Sequence, residues 1–242
     1  MSRRPAYRDI KGVESFPGFW WEFFVMDPLA RPLVWFLAPY RAVTPTMVTL
    51  ASAVLGVASV GAFLTQHPVW GAILFEAHFL LDCVDGNLAR LRRATTFFGG
   101  VLDETLDAVL LFAVAAAAAI QATVADMPYA YLQIAVAGAF GVEASLRRIR
   151  EAQAAQWPVT PRFVKTRLSG RLMPLPWTLE LEVLALFVAP LLVGTARLVI
   201  LAVCLAGLSV ISASYLWALL ARARLADHQS EPAVRVRRGE AR

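Results

Sequence analysis

The chain has 242 residues, 58% of them hydrophobic and only 17% charged, with a mean hydropathy of +0.58. That balance excludes a soluble globule and fits one integral-membrane unit. The net charge of +5 does not argue for nucleic acid, because the basic residues cluster between apolar runs, where an anionic membrane surface explains them. Cys83 and Cys204 are the only cysteines, and Cys83 sits inside an acidic motif, so both thiols are expected to be reduced.

Met1 to Phe16 is polar, and Met1-Ser-Arg-Arg4 lacks the early apolar run of a signal peptide. Gly18 to Tyr40 is rich in aromatics, including Trp20, Trp21, Trp35 and Phe36. Glu22, Asp27, Arg31, Pro28, Pro32 and Pro39 interrupt it. This predicts an amphipathic helix, kinked or in pieces, lying in the membrane interface; a spanning helix is the alternative. Residues 1–43 thus form a tail and interfacial helix, 44–220 an all-α unit of six transmembrane helices, and 221–242 a charged tail.

The first span is expected from Thr46 to Thr65 and the second from Val69 to Leu91, joined by the turn Gln66-His-Pro68. The third runs from Thr95 to Ala122, and its alanine run, Ala115 to Ala119, suits close helix packing. Asp126-Met-Pro128 turns the chain into a fourth span, Tyr129 to Leu146, which ends in Arg147-Arg148-Ile-Arg150. A long basic connection, Glu151 to Pro176, leads to the fifth span, Trp177 to Val193. Gly194-Thr-Ala-Arg197 reads as a tight turn before the sixth, which ends near Leu220.

Between spans two and three the sequence carries its chemistry. Asp82, Asp85, Gly86, Ala89 and Arg90 are followed by eight residues, then Gly99, Asp103 and Asp107. Spacings of three and four put each carboxylate pair on one helix face, and the short Leu91–Phe98 link makes the two helices antiparallel neighbours. Each carboxylate in or near a span costs about 2.5–3.5 kcal/mol. Four that converge repel one another unless cations sit between them. Hard oxygen ligands suit Mg²⁺, Mn²⁺ or Ca²⁺ rather than zinc. Lack of bulk at Gly86 and Ala89 lets a nucleotide approach the backbone, and Arg90 can hold a phosphate. Gly99 and Gly100 are expected to bring the second helix close to its neighbour.

The pattern D-x2-D-G-x2-A-R-x8-G-x3-D-x3-D resembles the signature of the CDP-alcohol phosphotransferase family. All its fixed positions are filled, a match expected by chance about once in a billion starts. The resemblance implies transfer of a phosphoalcohol group from a CDP-alcohol to an acceptor hydroxyl, with release of CMP. It implies two Mg²⁺ or Mn²⁺ ions on Asp82, Asp85, Asp103 and Asp107, with Asp107 also the general base. Gly86, Ala89 and Arg90 hold the cytidine diphosphate end. Many members have Asn after the proline that opens the first span; here Thr46 follows Pro45, and a hydroxyl takes its place. The implied donor is CDP-diacylglycerol, with a soluble CDP-alcohol as the alternative, and the implied assembly is a homodimer.

Arg147, Arg148 and Arg150, with Glu143, are candidates for the acceptor pocket; topology and anionic lipid are the other explanation of the arginines. Family members that use inositol phosphate bind the acceptor phosphate with arginines near this region, and many place Arg directly after the last Asp, where this chain has Ala108. His78 and Glu76 lie near Asp82, and Glu180 and Glu182 near span five; His78 reads first as a hydrogen-bonded structural residue, and the glutamates as acceptor ligands or interfacial groups. Ser212, Ser214 and Tyr215 suit helix packing. Basic residues before the first span, at Arg90, Arg92 and Arg93, in the fourth-to-fifth connection and in the tail predict a cytoplasmic motif and cytoplasmic termini in the plasma membrane of a prokaryote. The opposite loops hold only His67, Asp126 and Arg197. The rival classes are a cation transporter, which needs more polar residues deep in its spans, and a non-catalytic scaffold.

Overall fold

A computed structural model describes residues 9–10, 19–156, 166–168, 171–173 and 178–237. The basic residues before Ile10, Lys11, and Arg162 and Lys165 of the basic connection lie outside the described residues. The described chain is helical apart from a small antiparallel hairpin within that connection, β1 (Thr166–Leu168) and β2 (Arg171–Met173).

A π-turn, Glu22–Met26, leads directly into α1 (Asp27–Leu37). The two form one ribbon rather than pieces: Pro28 falls in the first α-helical turn, where an amide is not needed. Met26, Ala30 and Val34, at helical spacing, bury one face against Val84 and Leu88. The opposite face leaves Leu29 and Phe36 about half exposed.

Thr44 caps α2 (Pro45–Leu64), its hydroxyl accepting from the Met47 amide. The inner face of α2 is Ser52, Gly56 and Ser59, all buried. Small residues there bring backbones together: a Cβ on Gly56 would stand 2.7 Å from Leu110, and the Ser59 hydroxyl donates to the Gly71 carbonyl at 2.7 Å. α2 therefore packs along both α3 (Pro68–Leu91) and α4 (Phe97–Val124). α3 and α4 themselves meet only briefly, unlike the neighbouring pair predicted from their short link. Gly99 and Gly100 do not serve close packing either: a Cβ on Gly100 would meet nothing, and one on Gly99 only the capping Thr96.

α5 (Ala130–Gln156) runs ten residues past Leu146, so the arginine cluster lies on a continuing helix. The segment expected as the fifth span is a broken ribbon: α6 (Thr178–Val183), a π-turn Leu184–Val188, and α7 (Ala189–Leu191). α8 (Gly194–Arg237) begins at Gly194, whose φ of 61° favours glycine, and carries the helix through most of the expected tail. Arg197 is not a loop charge. It is 4% exposed and stacks over the Tyr129 ring at 4.0 Å.

Among the described residues, three helices are long and apolar enough to cross a membrane: Pro45–Leu64, Phe97–Val124 and the Gly194–Ala221 part of α8. The main core joins Phe63, Phe75, Val114, Phe140, Leu186 and Leu208, with the buried Ala115, Ala117 and Ala118 of the alanine run. Cys83 and Cys204 are buried free thiols in separate clusters.

Arg92, at the end of α3, bonds back to the α1–α2 connection, donating to the carbonyls of Leu37 at 2.8 Å and Tyr40 at 3.0 Å. Partial burial and nearby Arg41 pull its guanidinium below the ordinary arginine value.

Candidate active site

Asp82 and Asp85 descend one face of α3, and Asp103 and Asp107 one face of α4. The fold brings three of them to a point: ligand oxygens of Asp82, Asp85 and Asp103 lie within 4.8 Å of one another. The Asp82 carboxyl is within hydrogen-bonding reach of Asp103 and Asp107. Asp107 lies outside the three-oxygen group and lines an adjoining cavity, together with Asp82.

The donor set fits a hard divalent cation. Asp85 Oδ2 and Asp103 Oδ1 are buried and accept no hydrogen bond. Buried carboxylate oxygens in that state are costly unless a cation satisfies them. All the donors are carboxylate oxygens, the type Mg²⁺ and Mn²⁺ take.

Around this point the structure places the other predicted residues unevenly. Arg90 folds back over Gly86: a Cβ on Gly86 would stand 3.3 Å from its Nη1. Its Nη2 donates to Asn87 Oδ1 at 2.9 Å, and its charge acts on Asp85 and Asp103. Ala89 is half-buried on the same helix. Thr46 is exposed in the first turn of α2. Thr49, one turn further, is the residue of that helix that lies against the Asp85 carboxylate. It was not singled out from sequence, although its i+3 relation to Thr46 puts it on the same face.

The cavity measures about 290 Å³. Asp82, Asp107 and Ala108 line it on one side and Arg147, Arg148 and Glu182 on another, with His78 and Phe19 also in its wall. The fold thus brings two of the predicted arginines to the carboxylates. Arg150 lies on the same helix, but its side chain is outside the described residues. Glu143 is 1% exposed, with Arg147 Nε 3.8 Å from its Oε1. Glu104, adjacent to Asp103 and overlooked in the sequence, lines the cavity as well. A second cavity of about 320 Å³ adjoins between α4 and α5, lined by Val109, Phe112, Ala144 and Ser145 and sharing Ala108 and Arg148 with the first.

Three neighbouring polar residues have structural partners. His78 Nδ1 is 2.6 Å from the Ser52 hydroxyl. Glu76 accepts from the Trp21 indole at 3.2 Å. Glu180, an acceptor candidate from sequence, instead accepts from the Trp20 backbone amide at 2.6 Å and from that of Trp21 at 3.4 Å. That carboxylate anchors the beginning of the N-terminal ribbon, and Phe19 beside it closes one side of the cavity. In α8, Ser214 bonds to the Ile211 carbonyl and Tyr215 is buried, as packing predicts.

Residues 42–206 match the family model described as CDP-alcohol phosphatidyltransferase. Phosphatidylinositol phosphate synthase of Corynebacterium glutamicum is 34% identical over 89 residues, 35% of this chain and 37% of that protein. The enzyme of the same name from Mycolicibacterium smegmatis is 42% identical over 84 residues, 33% of this chain and 36% of that one. The matched stretch thus spans little more than a third of these relatives. The crystal structure of Mycobacterium tuberculosis phosphatidylinositol phosphate synthase with CDP-DAG bound superposes with a TM-score of 0.54 at 22% identity, covering 79% of this chain and 92% of that one. A second structure of that enzyme, in complex with manganese and citrate, gives 0.55 at the same identity and covers 79% and 87%. At that identity the likeness concerns the fold.

Proposed function

The chain belongs to the CDP-alcohol phosphatidyltransferase family, and from that premise we propose that it transfers a phosphatidyl group from CDP-diacylglycerol to an acceptor hydroxyl, releasing CMP. The observation that carries this reading is the convergence of Asp82, Asp85 and Asp103 beside a cavity that Asp107 and two arginines enter.

In this reading Asp82, Asp85, Asp103 and Asp107 hold two Mg²⁺ or Mn²⁺ ions. Bound there, the ions neutralise the pyrophosphate and stabilise the departing CMP. Gly86 and Ala89 leave room for the nucleotide, Arg90 reaches a phosphate, and Thr46 takes the place of the family's Asn. The acceptor oxygen attacks the phosphorus that bears the diacylglycerol. The bond from that phosphorus to the bridging oxygen breaks, and its electron pair leaves with CMP. Asp107 takes the hydroxyl proton. Its position at the cavity side of Asp82, outside the three-oxygen group, supports that role. Arg147 and Arg148, with Arg150 further along α5 and Glu143 behind Arg147, form the acceptor side and hold a phosphate on the acceptor, as the names of the relatives suggest. The apolar wall of the second cavity suits an acyl chain.

The proposal extends to the molecule. Residues 44–220 form a six-span catalytic unit, with α3, α5 and the broken fifth ribbon completing the three apolar helices. Residues 1–43 carry an interfacial helix, whose exposed Leu29 and Phe36 suit lipid. Residues 221–242 form a cytoplasmic tail, the site faces the cytoplasm, and two copies form a homodimer. Purified protein with Mn²⁺, CDP-diacylglycerol and a panel of acceptors should release CMP in a metal-dependent way. No release with any acceptor would overturn the transferase reading.

A further inference from the structure

Glu182 is a carboxylate that the reaction outlined above leaves without work. It stands on α6 just before the π-turn at Leu184, an irregularity of a kind frequent at functional sites. It lines the same cavity as Asp107, Arg147 and Arg148. No hydrogen bond reaches its carboxylate among the described residues, whereas Glu180, two positions earlier, is bonded to the N-terminal ribbon. Of the charges that act on Glu182, Arg147 attracts it, and Glu143, Asp107 and Glu180 repel it. A carboxylate among spans, opening into a cavity and lacking donors, is costly until a ligand supplies them.

The donors must come from the acceptor, and the walls restrict their type. Two guanidinium groups share a cavity of about 290 Å³ with Glu182. Asp82, Glu104 and Asp107 line the cavity too, but the charge that acts on Glu182 first is that of Arg147. An ammonium on Glu182 would compete with that guanidinium, while a hydroxyl pair gives the carboxylate its hydrogen bonds and adds no charge. A phosphate on the same molecule matches the arginines. The cavity lies at the bottom of the ~300–1,000 Å³ range of small-molecule sites. That admits one compact polar molecule.

We propose that Glu182 determines acceptor specificity by accepting hydrogen bonds from hydroxyls of a polyol phosphate whose phosphate lies on Arg147 and Arg148. This rests on the transferase reading and deepens it from an acceptor hydroxyl to a substrate class. Glu182 sits on the acceptor side and does not serve the donor.

The test follows CMP release by the full-length protein with Mn²⁺ and CDP-diacylglycerol, using inositol phosphate, glycerol 3-phosphate and serine as acceptors. The wild type should prefer inositol phosphate. Glu182→Gln should raise its KM about tenfold or more, the scale of a lost hydrogen bond to a charged group. The KM for CDP-diacylglycerol should stay within about twofold, and the preference over glycerol 3-phosphate should shrink. Glu182→Asp, which keeps the charge on a shorter arm, should fall between and serves as the test if the Gln variant does not fold. An unchanged ratio between the two phosphates would overturn the assignment. So would a wild-type preference for serine that Glu182→Gln abolishes, since the ligand group would then be an ammonium. CMP release with some acceptor but no Glu182 effect would sink this inference and leave the transferase reading standing; no release with any acceptor would sink both.

Discussion

Asp107 lines the cavity beside Asp82 but lies outside the three-oxygen group, and its neutral isostere tests the division of labour. Asp107→Asn should keep Mn²⁺ and CDP-diacylglycerol affinity within about tenfold while lowering kcat by about 10²-fold or more, the usual scale for loss of a general base. Asp82→Asn and Asp85→Asn should instead weaken Mn²⁺ binding directly, because their oxygens belong to the three-carboxylate group. Near-normal turnover in Asp107→Asn would mean that another group takes the proton. Across the cavity, replacing Arg147 and Arg148 together by Gln should raise the KM of a phosphorylated acceptor at least tenfold and leave that of the CDP-donor near its original value. Equal losses for both substrates would point to folding or lipid binding. The residues behind these predictions were legible in the sequence because each carries its charge at helical spacing in apolar surroundings. Thr49 was not, since a threonine in an apolar helix has many ordinary uses and only the fold sets this one against Asp85. Glu180 was left between acceptor ligand and interfacial group for a related reason: a glutamate at a span's edge looks alike whether it meets substrate or a backbone amide.

At the scale of elements, the sequence defined the helices better than their neighbours. The limits of α2, α3 and α4 came out within a few residues, since Thr44, Pro68 and Thr96 mark their starts. The partnership of α3 with α4 did not, because the small face of α2 takes most of both. The apolar part of α8 ends at Ala221, close to the expected Leu220, but the helices α5 and α8 run on past Leu146 and Leu220, because Arg and Glu favour helix well enough to continue it beyond the apolar stretch. Beside its buried apolar face, the N-terminal ribbon is tied at its two ends by Glu180 on the Trp20 amide and by Arg92 on the Leu37 and Tyr40 carbonyls. Glu180→Gln and Arg92→Ala should each lower stability by about 1–3 kcal/mol, the range for hydrogen bonds with one charged partner. The check is a lower thermal midpoint in detergent together with faster proteolysis between Trp20 and Tyr40. Arg92→Ala with an unaltered cleavage rate would deny it this anchoring role.

For the whole molecule, the basic residues of the α3–α4 connection and the nearly uncharged α2–α3 turn predict a site on the cytoplasmic side. With the native cysteines replaced, a cysteine at Gln66 should react in intact cells with an impermeant thiol reagent, and one at Arg93 should react only after the membrane is opened. The reverse pattern would invert the protein. Arg197, buried over Tyr129 in the first turn of α8, is the one arginine on the opposite side, which otherwise holds only His67 and Asp126, so the asymmetry stands.

The bond from Glu180 to the Trp20 amide also has a consequence in time. A ribosome makes Trp20 long before Glu180, and the two are 160 residues apart. Synthesis proceeds at about 5–20 residues per second. The start of the N-terminal ribbon therefore waits roughly 8–30 s for its anchor while α2 to α5 are made. Phe19 takes its place in the cavity wall only after the fifth ribbon has arrived. An early-made residue thus completes the cavity wall late, and an arrested chain that stops short of α6 would carry its full acidic motif with the cavity still open.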